Sequence, residues 1–137
     1  MKIGFTCSTF DLLHAGHTLM LKECKNNCDW LIAALQADPS IDRPETKNSP
    51  AQGLYERWLQ LKACRYVDEI IPYSTEEDLL NLIKSQDLHI RFIGEEYANK
   101  DFTGKQFCLD NNIELYYNRR KHSYSTTDLR KRASLNK

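Results

Sequence analysis

The chain has 137 residues and a mean hydropathy of −0.62, and its 19 Lys plus Arg balance its 19 Asp plus Glu, so the formal net charge is zero. This length suits one domain, and the charge balance gives no overall field that would draw the protein to nucleic acid or to a membrane. The sequence shows no apolar run near the roughly 20 residues of a membrane span and no secretory signal, which predicts a cytoplasmic protein. Five scattered cysteines are typical of reduced, buried thiols rather than of a disulfide framework.

Strand and helix patterns alternate along the chain. In chain order we predict strand 3–6, helix 18–26, strand 30–35, helix 54–64, strand 67–72, helix 75–85, strand 90–93, helix 103–112, strand 114–117 and helix 128–134. Between the second strand and the next helix, the stretch 36–53 is rich in proline and almost free of large apolar residues, which predicts a long loop and a candidate lid. Trp30 and Trp58 are expected in the core.

Alternating strands and helices favour parallel pairing through right-handed crossovers. We therefore predict an α/β fold, a single Rossmann-like domain over residues 1–137, with a five-stranded parallel sheet and helices on both faces.

The segment 8–17, Ser-Thr-Phe-Asp-Leu-Leu-His-Ala-Gly-His, lies where the first strand passes into the first helix. In open α/β sheets this is where phosphate-bearing ligands bind, because the helix N-terminus offers unpaired N–H groups and a positive dipole end. His14 and His17 can both face one ligand there, and Gly16 allows a close approach of the backbone. The arrangement indicates a phosphate site.

Other unusual residues follow the remaining strands and converge on the same sheet edge if the sheet is parallel. The second strand is followed by Arg43 and Lys47, the fourth by Gly94-Glu95-Glu96, and the fifth by the basic run 118–121 and the helix cap 125–127. Cations and a hydroxylated helix N-terminus beside two histidines predict a site for a polyphosphate.

The string 9–17, TFDLLHAGH, resembles the signature of the HxGH nucleotidyltransferase superfamily and, within it, the cytidylyltransferase branch, especially the glycerol-3-phosphate cytidylyltransferase family. Resemblance also extends to residues 65–72 and 120–129, and Arg57 and the run 65–69 are landmarks of it. It implies transfer of CMP from CTP to a small phosphorylated alcohol, with glycerol 3-phosphate the favoured acceptor. It further implies CDP-glycerol and pyrophosphate as products, a reaction without a covalent intermediate, Mg²⁺ bridging the phosphates, and a homodimer.

The resemblance also assigns roles to individual residues. His14 and His17 would donate hydrogen bonds to the triphosphate, Lys47 would reach the α-phosphate, with Arg43 as the alternative, and Arg120 would hold the outer phosphates. The nucleotide-binding set it implies is Thr9, Phe10, His14, His17, Glu95, Arg120, Ser125, Thr126 and Thr127, with His14, His17, Lys47 and Arg120 catalytic. Glu96 completes the paired-acid position, and no side-chain metal site is expected, since phosphates supply most Mg²⁺ ligands.

Three departures from the family pattern leave the base and the acceptor open. Ser8 stands where the family commonly has Gly, Ala15 replaces a bulkier aromatic residue, and the segment 119–123 is more basic. An adenylyl- or cytidylyltransferase acting on a sugar phosphate, pantetheine phosphate or FMN is therefore the alternative.

A nucleotide-binding regulator without turnover is a further alternative, whereas nucleic-acid binding by the basic C-terminal segment is disfavoured by the neutral net charge. Simpler interpretations apply to single residues: Asp11 is expected to stabilise its turn rather than bind a metal, and His89 and His122 are expected to be ordinary surface or packing histidines.

Overall fold

The structure, a computed structural model, describes residues 1–135, so the last two residues of the predicted domain lie outside it. Its strands are β1 (Ile3–Ser8), β2 (Trp30–Gln36), β3 (Glu69–Tyr73), β4 (Ile90–Gly94) and β5 (Glu114–Asn118). Its helices are α1 (Ala15–Lys25), α2 (Pro39–Asp42), α3 (Leu54–Lys62), α4 (Glu76–Ser85), α5 (Lys105–Asp110) and α6 (Thr126–Leu135), with a 3₁₀ turn at Glu95–Tyr97.

The five strands form one sheet in the order β3-β2-β1-β4-β5, and all four pairings are parallel. The predicted five-stranded parallel sheet is therefore confirmed. From β1 the chain first builds the sheet in one direction through β2 and β3, then crosses back to add β4 and β5 on the other side. The point where this order reverses lies between β1 and β4, and ligands of such sheets bind in the crevice there.

Two apolar clusters, one on each face, show that helices cover both sides of the sheet. Ile32 and Ala34 of β2 belong to the cluster that includes Leu79 and Ile83 of α4. The alternate residues Leu31, Ala33 and Leu35 belong to the cluster formed with Leu21 of α1 and Leu61 of α3. Because successive side chains of a strand point to opposite faces, the near-continuous apolar run of β2 is what a doubly covered parallel strand requires.

Several sequence-based expectations are corrected by the structure. Trp30 is 37% exposed, because it is the first residue of β2, and its indole N–H donates to Glu69. Trp58 is only partly buried and packs against the edge of the core. The stretch 36–53 contains the short helix α2, which Asp38 caps by accepting from the Ser40 N–H. Helix α1 begins at Ala15 rather than at residue 18, because His14 caps it. Within residues 1–135, no helix combines the length and apolarity needed to cross a membrane.

Candidate active site

The turn after β1 has a strained backbone. Phe10 and Leu12 have φ angles of 50° and 51°, in the left-handed region that bulky residues seldom adopt. The Phe10 side chain is buried in the core beneath the turn. Conformations of this kind persist only where the surroundings hold them, and they cluster at functional sites.

Arg57 of α3 holds this turn from below. It is 2% exposed, and its guanidinium donates to the carbonyls of Thr9, Gln36, Ala37 and Gln52. One planar cation therefore joins the turn after β1, the end of β2 and the end of the following loop. Arg57 was only a landmark in the sequence, yet it lies four residues before the buried Leu61, on the same side of α3, and that spacing marks it.

Asp11 fastens the top of the same turn. Its carboxylate accepts from the N–H groups of Ala51 and Gln52 at 2.8 and 3.0 Å and forms a 2.9 Å ion pair with Arg130 of α6. Asp11 was expected to stabilise its own turn, but its carboxylate binds backbone N–H groups of the loop before α3 instead. The β1 turn, that loop and α6 are in this way connected.

His14 and His17 form a capping box made of two imidazoles. The Nδ1 atom of His14 accepts from the Gly16 N–H at 3.0 Å, and the Nδ1 atom of His17 accepts from the His14 N–H at 3.1 Å. Since a neutral imidazole has one acceptor and one donor nitrogen, each ring must carry its proton on Nε2. The ring centroids are 3.9 Å apart. The helix cap thereby presents two adjacent Nε2–H donors of defined tautomer.

The surroundings favour the neutral form of both rings. Burial lowers the pKa of His17 from 6.5 to about 4, with the neighbouring His14 adding to the effect and Asp11 opposing it. Burial also lowers the pKa of His14, and electrostatic interactions with the neighbouring His122, Arg120 and Arg132 lower it further. A proton on either Nδ1 would also oppose a backbone N–H, so the capping box and the lowered pKa values agree.

Both histidines line a cavity of about 680 Å³, here called the histidine cavity. The turn after β5 and the start of α6 supply its cations and several hydroxyls, namely Arg119, Arg120, Lys121, His122, Ser125 and Thr126, while the carboxylates of Glu23 and Glu96 line it as well. Ser125 caps α6 by accepting from the Asp128 N–H at 2.9 Å, and Thr126 donates to the Asp11 carbonyl at 3.2 Å. Two helix N-termini, those of α1 and α6, thus open onto one cationic cavity, as an anion site requires.

A second cavity of about 560 Å³, here called the loop cavity, lies against the first. Thr9, Arg43 and Lys47 line it, together with Tyr97 and Asp101 of the segment that follows β4. The residues that line both cavities are Ser8, Met20, Gly94, Glu96 and Asn118. Because these residues end β1, β4 and β5 or face those ends, the two cavities meet at the switch point of the sheet.

The structure brings most of the predicted residues to these two cavities. His14, His17, Arg120, Ser125 and Thr126 line the histidine cavity, whereas Thr9 and Lys47 line the loop cavity. Arg43 lines the loop cavity as well, but its guanidinium faces Glu76 at 3.4 Å. Lys47 is exposed and forms no ion pair within residues 1–135.

Three predicted nucleotide-binding side chains lie outside the cavity linings. Phe10 is buried, Thr127 is exposed in the first turn of α6, and Glu95 accepts from the Arg120 N–H while its neighbour Glu96 lines the cavities. Any contact of these three residues with a nucleotide stays a prediction.

His122, which was expected to be an ordinary surface or packing histidine, lines the histidine cavity, as does Asn118, which was expected at this edge only as part of the run after β5. The Nδ1 atom of His122 accepts from the Tyr124 N–H two residues later, as His14 does from Gly16, so its free donor is also Nε2–H. Its ring reaches Gly16, where an added Cβ would be 2.9 Å from His122 Cε1. Asn118 donates to Glu23 of α1 at 3.1 Å and so ties β5 to the site. His14 and His122 each accept from the backbone N–H two residues later, and this shared hydrogen bond marks His122 as a site residue.

A doubly wound parallel sheet whose switch point carries an imidazole-capped helix defines a protein of the nucleotidyltransferase fold. Residues 5–132 match the cytidylyltransferase-like family, and the chain belongs to that family.

Curated relatives include the bifunctional protein HldE of Granulibacter bethesdensis, 34% identical over 76% of this chain and 21% of that protein. Another is the ethanolamine-phosphate cytidylyltransferase of Dictyostelium discoideum, 35% identical over 67% of this chain and 25% of that protein. This chain therefore spans about a fifth to a quarter of the length of these relatives.

Solved structures show the same fold. The lipopolysaccharide core biosynthesis protein of Thermoplasma volcanium superposes with a TM-score of 0.72 over 89% of this chain and 99% of that one, at 20% identity. The pantoate-beta-alanine ligase of Francisella tularensis superposes with a TM-score of 0.62 over 98% of this chain and 69% of that one, at 18% identity.

Proposed function

We propose that this protein is a cytidylyltransferase that transfers CMP from CTP to a small phosphorylated acceptor and releases pyrophosphate. The observation that carries the proposal is the pair of adjoining cavities at the switch point, one lined by imidazole donors and cations, the other by the loop cations Arg43 and Lys47. The triphosphate occupies the histidine cavity and the acceptor occupies the loop cavity. The α-phosphate then lies at the shared wall, where an acceptor phosphate can attack it in line.

In this reaction the protein acts by positioning and charge stabilisation, because the attacking group is already a phosphate anion. The Nε2–H groups of His14 and His17 donate to the phosphate oxygens on which charge grows in the transition state. Arg120 and the N-terminus of α6 hold the leaving pyrophosphate, and Lys47 reaches the α-phosphate from the loop. Neutral imidazoles suit this role because they donate without requiring a proton from solution.

Mg²⁺ is part of the proposal as a cofactor that neutralises phosphate charge when bound. Residues 1–135 contain no cluster of three or more His, Cys, Asp or Glu side chains that could hold a metal. Mg²⁺ keeps several waters and needs only one or two carboxylates when phosphates supply oxygen atoms. The Glu96 carboxylate, on the wall shared by both cavities, fits that requirement.

The acceptor is a small phosphorylated alcohol. Resemblance favours glycerol 3-phosphate, and the name of the Dictyostelium relative adds ethanolamine phosphate. A sugar phosphate, pantetheine phosphate or FMN, and ATP in place of CTP, are the alternatives within the same chemistry. A homodimer is also proposed, and sedimentation equilibrium tests it.

The test is a panel of triphosphates crossed with acceptors, read by pyrophosphate release in the presence of Mg²⁺. We expect CTP to be the preferred nucleotide and His17→Ala to lose transition-state stabilisation of roughly 2.7–4 kcal/mol. His89→Ala is the matched control, because His89 lies at the amino end of β4, whereas the cavities lie at the carboxyl ends of the strands, and it lines neither cavity. Turnover unchanged by His17→Ala would remove His17 from the mechanism, and tight CTP binding with no product from any acceptor would favour the regulator instead.

A further inference from the structure

The middle of the sheet contains an arginine that the proposed mechanism does not use. Arg91 lies on β4 beside Phe5 of β1 and Leu115 of β5, in an otherwise apolar run, and is 2% exposed. Charged residues are almost never this buried unless they are paired, since removing a charge from water is costly.

Arg91 has few partners for a buried guanidinium. Of its five N–H groups, one donates to the Thr103 carbonyl and another approaches Cys7 Sγ at 3.9 Å, while Nε has no hydrogen-bond partner. No carboxylate among residues 1–135 lies within 4.0 Å of it. The Phe102 ring covers one side, 4.9 Å from the guanidinium carbon. The fold therefore holds a buried cation that nothing in the described chain neutralises.

The same side chain lines the loop cavity, where the proposed acceptor binds. Arg43, another cation of that cavity, is neutralised by Glu76 at 3.4 Å, whereas Lys47 is exposed at the loop. Asp101 and Glu96 also line the cavity, yet neither carboxylate forms an ion pair with Arg91. A buried, unneutralised guanidinium in a cavity wall is the arrangement that recognises a carboxylate or a phosphate.

We propose that Arg91 binds a second anionic group of the acceptor, a carboxylate or a phosphate, in addition to the phosphate that attacks CTP. This inference rests on the proposed function and narrows its substrate class to doubly anionic acceptors. Glycerol 3-phosphate, which carries only hydroxyls beyond its phosphate, then becomes the comparison compound rather than the best substrate.

The experiment compares acceptors of matched size with the full chain. Calorimetric titration measures the affinity for three compounds. Glycerol 3-phosphate is the reference, 3-phosphoglycerate has a carboxylate in place of its hydroxymethyl group, and propane-1,3-diol bisphosphate has a second phosphate. Pyrophosphate release with the same three compounds gives KM and kcat. The two doubly anionic arms distinguish a carboxylate from a phosphate as the second group.

Arg91→Met is the principal variant, because Met fills similar space without the charge, and the cost of keeping an unpaired charge out of water disappears with it. Arg91→Lys keeps the charge and loses the planar fork, and it serves if Arg91→Met does not fold. Lys84→Met is the control: it removes an exposed cation from α4 that lines neither cavity.

We expect the wild type and Lys84→Met to bind a doubly anionic acceptor roughly tenfold to a hundredfold more tightly than glycerol 3-phosphate, as one charge-assisted contact allows. Arg91→Met should abolish that preference through KM, and Arg91→Lys should reduce it. A wild type without preference, or a preference that survives in both Arg91 variants, would overturn the proposal. If no acceptor yields pyrophosphate with any triphosphate, the proposed function fails while the calorimetric preference still decides the role of Arg91.

Discussion

Replacing Arg57 by Met tests whether the turn that carries the histidines depends on a buried cation beneath it. The substitution removes all four hydrogen bonds from the guanidinium to the carbonyls of Thr9, Gln36, Ala37 and Gln52. Met fills most of the volume but donates nothing, so these carbonyls lose a charged donor at a site where Arg57 is 2% exposed.

The expected loss of unfolding free energy is about 3–5 kcal/mol. Hydrogen bonds to a charged group contribute roughly 1.5–3 kcal/mol each, and a buried carbonyl left without its donor costs roughly 1–3 kcal/mol. Contributions from one guanidinium are not additive, so the total is smaller than the sum of four such bonds. In a chain of this size, that corresponds to a fall in Tm of roughly 10–20 °C.

The assay is urea unfolding followed by far-UV circular dichroism, with the midpoint and the slope m fitted together. Arg65→Met is the control, because Arg65 is exposed and surface substitutions usually change stability by less than about 0.5 kcal/mol. A loss below about 1 kcal/mol in Arg57→Met, with m unchanged, would show that water or backbone relaxation satisfies the carbonyls and would refute the argument.

Two further predictions concern the imidazole cap. Because the pKa of His17 is about 4 in the folded chain against 6.5 ordinarily, the unfolded chain takes up the proton first as pH falls. Neutral His17 should therefore contribute roughly 3 kcal/mol to the free energy of unfolding above pH 6.5, and this contribution should be lost by about pH 4. Urea unfolding at several pH values should show that the free energy of unfolding depends less steeply on pH in His17→Asn. The same pH dependence in both proteins would contradict the assignment. Gly16→Ala would place a Cβ 2.8 Å from His14 Cε1 and 2.9 Å from the Tyr124 carbonyl oxygen, which should raise KM for CTP about tenfold or more. Gly53→Ala, whose Cβ meets nothing within 4 Å, should not, and equal kinetics for the two variants would show that the cap adjusts freely.

The alternation of elements and the location of the phosphate site could be predicted from local patterns. The apolar run of β2 already implies a strand covered on both faces, since residues 31, 33 and 35 and residues 32 and 34 face opposite cores. The segment 8–17 could be placed at the first strand-to-helix turn because an apolar strand pattern precedes it and a helical pattern follows it. Element boundaries shifted where a capping hydrogen bond decided them, as at His14 and Ser125.

Only the tertiary structure decided which residues meet at the site and which cations are neutralised. Periodicity reports the face on which a residue lies, so it places Arg57 on the buried stripe of α3 and Arg91 within a covered strand, but it carries no information about partners distant in the chain. The carbonyls that receive Arg57 lie up to 48 positions away, and the ion pair of Asp11 joins residues 119 positions apart. Those contacts exist because the sheet order brings the ends of β1, β2, β4 and β5 to one edge, and that order follows from the packing of the whole chain.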